Sequence, residues 1–314
     1  MALPLSPPVP PQLARSRSSL PEGDGWSYEP KWDGFRAIAF VDGTDTYLQS
    51  RNGRPLSRYF PEIEFPRGRY ILDGELVIFG ARGSQDFDAL QNRLHPAESR
   101  VRRLAAETPA RFIAFDILAK DDRSLLDQPF AKRRATLEKL VKEPLQLTPA
   151  TTERAGAEPW LQGAEGVIAK DLDAPYRPGE RTGMVKVKRV RTADCVVVGW
   201  RPGKQAETVG SLILGMYDKG GELRVIGHTS GFKAAEKREL VKVLKPYETG
   251  ERGSGDPSRW STDRDLEWIA LRPELVAEVD FDHTSANRIR HGAAFKRWRE
   301  DKPPRECTID QLLQ

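Results

Sequence analysis

From Trp26 to about residue 190 the chain alternates short strand-like runs with turns. Runs of β-branched and aromatic residues occur at 26–32, 35–41, 46–50 and 69–80, each bounded by Gly, Asp or Pro, and strand signals resume at 111–118, 165–170 and 184–190. Apolar residues at helical spacing predict amphipathic helices over 84–94 and 130–143. This mixture predicts an α+β domain in which antiparallel sheets pack together with helices on their flanks.

The hydrophobic pattern changes after Arg191. Compact strand signals lie at 194–200, 211–217 and 223–229, a helical segment follows at 233–247, and two more strands are predicted at 274–283 and 294–300. The second and third strands are joined by the tight turn DKGGE. Five strands with a helix between the third and the fourth is the order of an OB barrel, although other small barrels share it. The pattern therefore predicts an all-β OB-fold domain.

These patterns divide the chain into three parts. Residues 1–21 are rich in Pro, Ser and Arg, which predicts an extended lead-in without a core of its own. Residues 22–190 form the first predicted domain and residues 191–314 form the second. A length of 314 residues fits two domains of roughly 150 residues each.

Composition excludes several classes of protein. No run approaches the roughly 20 apolar residues of a membrane helix, and the start lacks an apolar secretory segment. Two cysteines, Cys195 and Cys307, are too few for a disulfide framework or a zinc site, and they indicate a reducing, cytoplasmic compartment. A net charge of +4 with a pI near 9.0 permits a polyanionic partner without requiring one.

Lys31, in the stretch EPKWDGFRA, is the first candidate for chemistry. Covalent nucleotidyl transfer needs a neutral amine among positive charges, in line with an α-phosphate. Lys170 ends one predicted strand, and Lys186 and Lys188 leave the same face of another, where they could bind phosphate oxygens. Taken separately, each motif also has an ordinary structural interpretation, because VKVK suits a solvated strand face and Lys-x-Asp-Gly suits a hairpin turn.

Six motifs occur in a fixed order: EPKWDGFR (29–36), SRNG (50–53), LDGELV (72–77), FIAFDIL (112–118), EGVIAK (165–170) and MVKVK (184–188). Together they match the series shared by covalent nucleotidyltransferases. The chain resembles ATP-dependent DNA ligases over nearly its whole length, and most closely the short bacterial ligases of the LigC type. It is also similar to the ligase module of bacterial end-joining proteins. The resemblance implies an ATP-grasp-like nucleotidyltransferase domain followed by the OB-fold domain.

The resemblance also implies roles for particular side chains. Lys31 would attack the α-phosphate of ATP and carry AMP as a phosphoramidate, with Asp33 near the chemistry or setting the Asp-Gly loop. Lys186 and Lys188 would contact the α-phosphate. Residues expected to bind the nucleotide are Glu29 at adenine, Phe115 stacked on the base, Arg36 and Arg51 at ribose and phosphates, and Glu75 and Lys170. Glu165, with Glu75, would hold a divalent ion, and carboxylate ligands favour Mg²⁺ or Mn²⁺.

A basic stretch near the end of the second domain resembles the last ligase motif, RxRxDK. Arg297, Arg299, Asp301 and Lys302 match it in place, and Arg297 and Lys302 are expected to bind ATP at pyrophosphate. Arg290, upstream, is a weaker match, because RHGAA stands where many relatives have an Arg-Pro pair. The resemblance implies that the domains close during adenylation and then reopen to admit DNA.

These observations predict an ATP-dependent DNA ligase that seals nicks, expected in DNA repair. Neither a helical DNA-binding domain before Lys31 nor a latch in the barrel is expected, which predicts weak, salt-dependent binding of nicked double-stranded DNA. The protein is expected to be a monomer in the cytoplasm, associated with the bacterial nucleoid and with no membrane partner. Repair polymerase or end-joining proteins are candidate partners. RNA joining, GTP-dependent RNA capping and a non-catalytic OB-fold protein are the alternatives.

Overall fold

The structure, a computed structural model, describes residues 3–80, 83–189, 191–254, 267–282, 284–285, 288–289 and 292–312. The chain divides into two compact units, Met1–Arg189 and Val190–Gln314. In the described residues of both units, no helix is long and apolar enough to cross a membrane.

The first unit is built from antiparallel sheets and four described helices. Its strands are β1 (Arg15–Ser16), β2 (Trp26–Pro30), β3 (Phe35–Gly43), β4 (Asp45–Ser50), β5 (Gly68–Ile78), β6 (Ala110–Lys120), β7 (Arg123–Ser124), β8 (Gln146–Leu147), β9 (Gly166–Asp171) and β10 (Met184–Lys188). Its helices are α1 (Phe87–Asn92), α2 (Glu98–Glu107), α3 (Phe130–Leu140) and α4 (Arg154–Gly163).

The larger sheet of this unit has the order β4-β3-β5-β6-β7, and β8 also pairs with β6. One face buries the alternating apolar residues of β3, β5 and β6 against α1 and α3, with Leu90 and Leu137 contributed by the helices. The smaller sheet has the order β1-β10-β9-β2 and packs its apolar face against Ala157 and Trp160 of α4. This layered arrangement is the predicted α+β architecture.

The second unit is dominated by strands. Its elements are β11 (Arg191–Pro202), β12 (Val209–Tyr217), β13 (Leu223–Thr229), α5 (Ala234–Leu244), β14 (Glu248–Ser254), β15 (Glu267–Leu271), β16 (Val276–Phe281), β17 (Thr284–Ser285), β18 (Arg288–Ile289) and β19 (Ala294–Trp298). The long strand β11 pairs with β16 through its first half and with β12 and β15 through its second half. Strand β16 then pairs with β19. The sheet thus curls around a core that includes Leu214 and Leu244, and the OB-fold prediction is confirmed.

The prediction of five strands in the second unit was incomplete. Strands β14 and β15 form an additional antiparallel pair between α5 and β16. The sequence of β14, ETGERGS, is polar and almost wholly exposed, so it lacks the alternation by which strands are recognised. Helices α2 and α4 were missed for related reasons. Helix α2 buries just Val101 and Ala105, and α4 contains Pro159.

The predicted lead-in runs along the first unit. Val9 and Leu20 are buried in it, and β1 pairs in parallel with β10. In the second unit, Cys195 lies fully buried within β11, as expected.

Candidate active site

The two sheets of the first unit bring most of the candidate residues to one cavity. In the smaller sheet, Glu29 of β2, Ile168 of β9 and Lys186 of β10 stand side by side across three strands. In the larger sheet, Arg36 of β3 lies directly opposite Glu75 of β5. The cavity has a volume of about 190 Å³. It is lined by Leu13, Ala14, Glu29, Pro30, Lys31, Trp32, Arg36, Arg51, Glu75, Phe115, Ile168, Lys170, Arg181, Met184 and Lys186.

The loop that carries Lys31 is fixed by its neighbours. The backbone N–H of Lys31 donates to the carbonyl of Gly166 at 2.9 Å, and the indole of Trp32 donates to the Thr148 hydroxyl at 2.9 Å. A Cβ at Gly34 would lie 2.1 Å from the carbonyl oxygen of Leu76, which only glycine avoids. The loop therefore packs closely against β5 at Gly34, and this contact helps to fix the position of Lys31.

The ammonium of Lys31 forms an ion pair with the nearly buried carboxylate of Glu165. Lys188 approaches the other carboxylate oxygen of Glu165 at 3.4 Å. Gly166, next along the chain, has a φ of +146° and leaves no room for a side chain, because a Cβ would lie 2.2 Å from the Val187 carbonyl. This close approach of β9 to β10 brings Glu165 between the two lysines.

Glu29 lies at the buried end of the cavity. Its carboxylate accepts from Lys170 at 2.8 Å and from Arg134 at 3.4 Å. Burial raises the pKa of Glu29, and Lys170 opposes that shift. Lys170 also donates to the carbonyl of Phe115 at 2.8 Å and lies 4.8 Å from the centre of its ring. Lys170 thus contacts both the carboxylate of Glu29 and the aromatic residue Phe115 of the cavity wall.

Arg36 is held by a second buried carboxylate. Its Nε and Nη2 donate to the two oxygens of Asp73 at 2.9 and 2.6 Å, a bidentate pair. The guanidinium lies 5.2 Å from the centre of the Phe115 ring. Tyr176 donates to Asp73 at 2.6 Å. Asp73, which does not itself line the cavity, therefore fixes the orientation of the Arg36 guanidinium.

Burial shifts the pKa values of two side chains in the cavity. Burial raises the pKa of Glu75 to about 8, although Lys31 and Arg36 oppose the shift. Burial, followed by the charges of Lys188 and Lys31, lowers the pKa of Lys186. The cavity thus gathers the positive charges of Lys31, Arg36, Arg51, Lys170, Arg181 and Lys186, which suits the binding of phosphate groups.

Eight of the residues singled out from the sequence line this cavity: Glu29, Lys31, Arg36, Arg51, Glu75, Phe115, Lys170 and Lys186. Glu165 and Lys188 adjoin it through the ion pairs with Lys31 and with each other. Asp33 is not part of the wall; its backbone N–H donates to the side chain of Gln85 at 2.6 Å. Phe115 is partly exposed at the cavity and is not an ordinary core residue.

Arg297 and Lys302 lie in the second unit. Arg297 donates to Glu278 at 2.7 Å, and Lys302 pairs with Glu306 at 2.6 Å. Arg299, between them, is held by Asp194 and Asp301, in each case at 2.9 Å. Arg290 lies outside the described residues.

Several residues of the site were not identified from the sequence. Asp73 and Tyr176 hold Arg36, Arg181 and Trp32 line the cavity, and Arg134 pairs with Glu29. Asp73 lies two positions before Glu75 in the motif LDGELV, so on a strand the two acidic side chains leave the same face. This spacing was the one sequence signal that could have identified Asp73. Tyr176 and Arg134 gave none, because their roles depend on contacts between distant parts of the chain.

The sequence of each unit matches a known protein family. Residues 11–188 match the family described as ATP dependent DNA ligase domain, and residues 205–302 match the ATP dependent DNA ligase C terminal region. The chain is 46% identical to DNA ligase C1 of Mycolicibacterium smegmatis, covering 99% of this chain and 96% of that protein. It is 44% identical to DNA ligase C of Mycobacterium tuberculosis, with the same coverage of both chains.

Solved structures show the same architecture. A mycobacterial DNA ligase D complexed with ATP and MES is 29% identical, with a TM-score of 0.53 over 96% of this chain and 98% of that one. A Lig E DNA ligase shares the fold, with a TM-score of 0.60 at 22% identity over 92% of this chain and 99% of that one. The chain belongs to the ATP-dependent DNA ligase family. Within that family it is a short bacterial ligase of the LigC type.

Proposed function

We propose that this enzyme seals nicks between a 5′-phosphate and a 3′-hydroxyl in DNA through an AMP carried on Lys31. The observation that carries the proposal is the position of the Lys31 ammonium. It lies at the wall of a cavity with Lys170, Lys186, Arg36 and Arg51, and it is held by Glu165. An amine fixed among cations, with a carboxylate in contact, is what nucleophilic attack on a phosphate requires.

Three transfers account for the reaction. The Lys31 ammonium first gives a proton to Glu165, the neutral amine then attacks the α-phosphorus of ATP and the bond to pyrophosphate breaks, and the second proton leaves the nitrogen to solvent. The 5′-phosphate of the nick then attacks the phosphorus of the lysyl-AMP, which returns the amine and leaves AMP on the DNA. Finally the 3′-hydroxyl attacks the activated 5′-phosphate, AMP departs, and the hydroxyl proton passes to solvent. Lys186 and Lys188 would neutralise the charge that develops on the non-bridging oxygens.

The rest of the cavity would hold the nucleoside. Phe115 offers a ring face for the base, next to the buried pair of Glu29 and Lys170. Arg36 and Arg51 line the same cavity and would bind ribose and phosphates. In the second unit, Arg297 and Lys302 are proposed to orient pyrophosphate during the first transfer alone.

The donor set of the cavity fits a divalent ion in part. Among the described residues, no group of three or more His, Cys, Asp or Glu side chains is close enough to hold a metal by itself. Mg²⁺ normally takes one or two carboxylates, several waters and substrate phosphates, and Glu165 with the ionised form of Glu75 supplies that number. We propose that these two residues hold Mg²⁺ or Mn²⁺ with ATP. Such an ion supplies neutralising charge at the α-phosphate and at pyrophosphate.

The decisive experiment follows a label from ATP. The protein is incubated with ATP or GTP labelled at the α-phosphate, with Mg²⁺ or Mn²⁺, and then with nicked DNA or nicked RNA. We expect label on the protein from ATP, no label on Lys31→Ala or in the presence of EDTA, and transfer of the label to nicked DNA. Labelling from GTP alone would indicate capping, transfer to RNA alone would indicate RNA joining, and no label would indicate a binding protein.

Binding of nicked double-stranded DNA is proposed to rest on phosphate contacts and to be weak. The net charge of the chain is just +4, so the attraction must come from local basic surfaces. Affinity for a nicked duplex should fall about tenfold or more between roughly 50 and 200 mM salt. Tight binding that changes little over this range would contradict the proposal.

A role in DNA repair is proposed from similarity to an end-joining protein. The chain is 33% identical, over 90% of its length, to the multifunctional non-homologous end joining DNA repair protein LigD of Mycobacterium tuberculosis, of which it spans 37%. The enzyme would act as a cytoplasmic monomer at the nucleoid, where a repair polymerase or end-joining protein brings it to breaks. Deleting the gene should lower survival after ionising radiation, with rescue by wild type and none by Lys31→Ala. Equal survival would refute the repair role.

A further inference from the structure

The N-terminal segment from Val9 to Arg17 forms part of the wall of the candidate active site. Leu13 and Ala14 line the cavity itself. The segment is bound along the loop that precedes β10, because the N–H of Leu13 donates to the carbonyl of Glu180 at 2.8 Å and Arg15 donates to the carbonyl of Arg181 at 2.5 Å. This wall comes from a part of the chain that carries none of the ligase motifs.

A chain of hydrogen bonds leads from this segment to Arg36. The backbone N–H of Gln12 donates to the hydroxyl of Tyr176 at 3.0 Å. That hydroxyl donates to Oδ2 of Asp73 at 2.6 Å, and the same oxygen accepts from Nη2 of Arg36 at 2.6 Å. Each group donates toward the carboxylate, so the bonds polarise one another in one direction.

The intermediate groups of this chain are closed to water. Asp73 is 0% exposed, Tyr176 is 1% exposed and Gln12 is 2% exposed. Burial and the charge of Asp73 raise the pKa of Tyr176 well above its ordinary value, so its hydroxyl remains a donor. Removal of the hydroxyl would leave both the N–H of Gln12 and a lone pair of Asp73 without a partner, and water has no access to replace it.

Arg36 links these hydrogen bonds to the cavity proposed to bind the nucleotide. Its guanidinium lies 5.2 Å from the centre of the Phe115 ring, and both side chains line the cavity. Asp73 holds the guanidinium by two parallel bonds, which fix its plane as well as its position. A small rotation of Asp73 would therefore turn Arg36 relative to Phe115.

We propose that Tyr176 is a positioning residue through which the N-terminal segment holds Arg36 in the orientation that binds ATP. The inference rests on the proposed function, since it assigns the cavity to the nucleotide. Tyr176 does not line the cavity. It fixes the position of the Asp73 carboxylate, which in turn fixes the orientation of Arg36. The N-terminal segment thus contributes to the affinity for ATP by a backbone N–H.

The test compares variants that remove single links of the chain. Tyr176→Phe removes the hydroxyl and keeps the ring. Gln12→Pro removes both the backbone N–H and the glutamine side chain. Gln12→Ala removes the side chain and keeps the N–H, so the difference between the two variants reports the effect of the N–H. Tyr70→Phe is the matched control, because Tyr70 is 1% exposed in the same unit and its hydroxyl donates to a carbonyl, that of Pro66, away from the cavity.

The measurements are the ATP concentration for half-maximal labelling of the protein, the maximal rate of labelling and the melting temperature. We expect Tyr176→Phe to raise the half-maximal ATP concentration by about tenfold, as fits one hydrogen bond to a charged group. The maximal rate should change much less. Gln12→Pro should act in the same direction relative to Gln12→Ala, and the double variant should be no worse than the worse single one.

Two outcomes would overturn the inference. One is a fall in melting temperature for Tyr176→Phe that matches that of Tyr70→Phe, with unchanged dependence on ATP. The other is additive effects of Tyr176→Phe and Gln12→Pro, which would make the two links independent. Absence of label on the wild-type protein would instead refute the proposed function.

Discussion

Lys170 and Glu29 form an ion pair with 2.8 Å between Nζ and Oε2, and their side chains are 4% and 3% exposed. The two residues lie diagonally on the neighbouring strands β2 and β9 of the first unit's smaller sheet, and Lys170 also contacts the carbonyl and ring of Phe115. A buried charge pair of this kind costs free energy to desolvate, so its members depend strongly on each other. Because both residues also line the cavity, loss of the pair would affect the stability of the sheet and the shape of the cavity together.

The first prediction concerns this pair. Glu29→Gln should lower the free energy of unfolding of the first unit by about 3–5 kcal/mol, because the charge of Lys170 would stay buried without its carboxylate. Adding Lys170→Met should recover part of the loss. Urea unfolding measures both, with Glu98→Gln as the control, since Glu98 pairs with Arg102 at the surface, where both are about 70% exposed. Equal effects of Glu29→Gln and Glu98→Gln would contradict the prediction.

The second prediction concerns the turn that follows Lys31. Gly34→Ala would place a Cβ 2.1 Å from the carbonyl oxygen of Leu76, which must push the loop away from β5. We expect labelling of Lys31 to slow by about a hundredfold, because an ångström of displacement is enough for such a loss. Gly25→Ala is the control, since a Cβ there meets no atom within 4 Å. Equal rates for the two variants would show that the close approach is unimportant.

The third prediction is a dependence of stability on pH. Burial raises the pKa of Glu75 from 4.5 to about 8, so between these values the folded protein holds a proton that the unfolded chain has released. The stability that this proton contributes is complete below pH 4.5 and is lost as the pH rises through about 8. Glu75→Gln should therefore gain stability over the wild type from pH 5 to about 8 and then gain no more.

This prediction is measured by urea unfolding at a series of pH values, without ATP or divalent ions. Glu107→Gln is the control, because that carboxylate is 57% exposed on α2. If the wild type and Glu75→Gln lose or gain stability in parallel across the series, the carboxyl of Glu75 titrates alike in both states and the prediction is wrong.

The fourth prediction concerns Arg297, in strand β19 of the second unit, and Lys302, which follows that strand. Arg297→Ala and Lys302→Ala should reduce labelling of the protein by ATP and spare the sealing of a nick that already carries AMP, because pyrophosphate is absent from that reaction. Lys296→Ala on the same strand is the control; it pairs with Glu278 and Asp280. Equal loss in both reactions would assign Arg297 and Lys302 to DNA or to stability.

Runs of apolar residues and helical spacing identified the elements that pack in the cores. Strands β3, β5 and β6 are nearly continuous apolar runs and are buried on both faces, and α3 repeats its apolar residues at helical spacing, so these patterns predicted the observed elements. Strand β14 is polar and exposed, and its pairing with β15 depends on backbone hydrogen bonds that any sequence can make. Such an element has no signature in side-chain order.

The sequence alone determined which residues could carry the chemistry, because Lys31, Glu165, Lys186 and Lys188 occur in motifs whose order is shared by covalent nucleotidyltransferases. Only the tertiary structure decided which groups hold the side chains of the cavity in place. Tyr176, Asp73 and the backbone of Gln12, which hold Arg36, meet from distant parts of the chain, and no local pattern records that contact. The physical reason is that a motif reflects the types of side chain a reaction needs, whereas a buried hydrogen bond depends on which surfaces fold together.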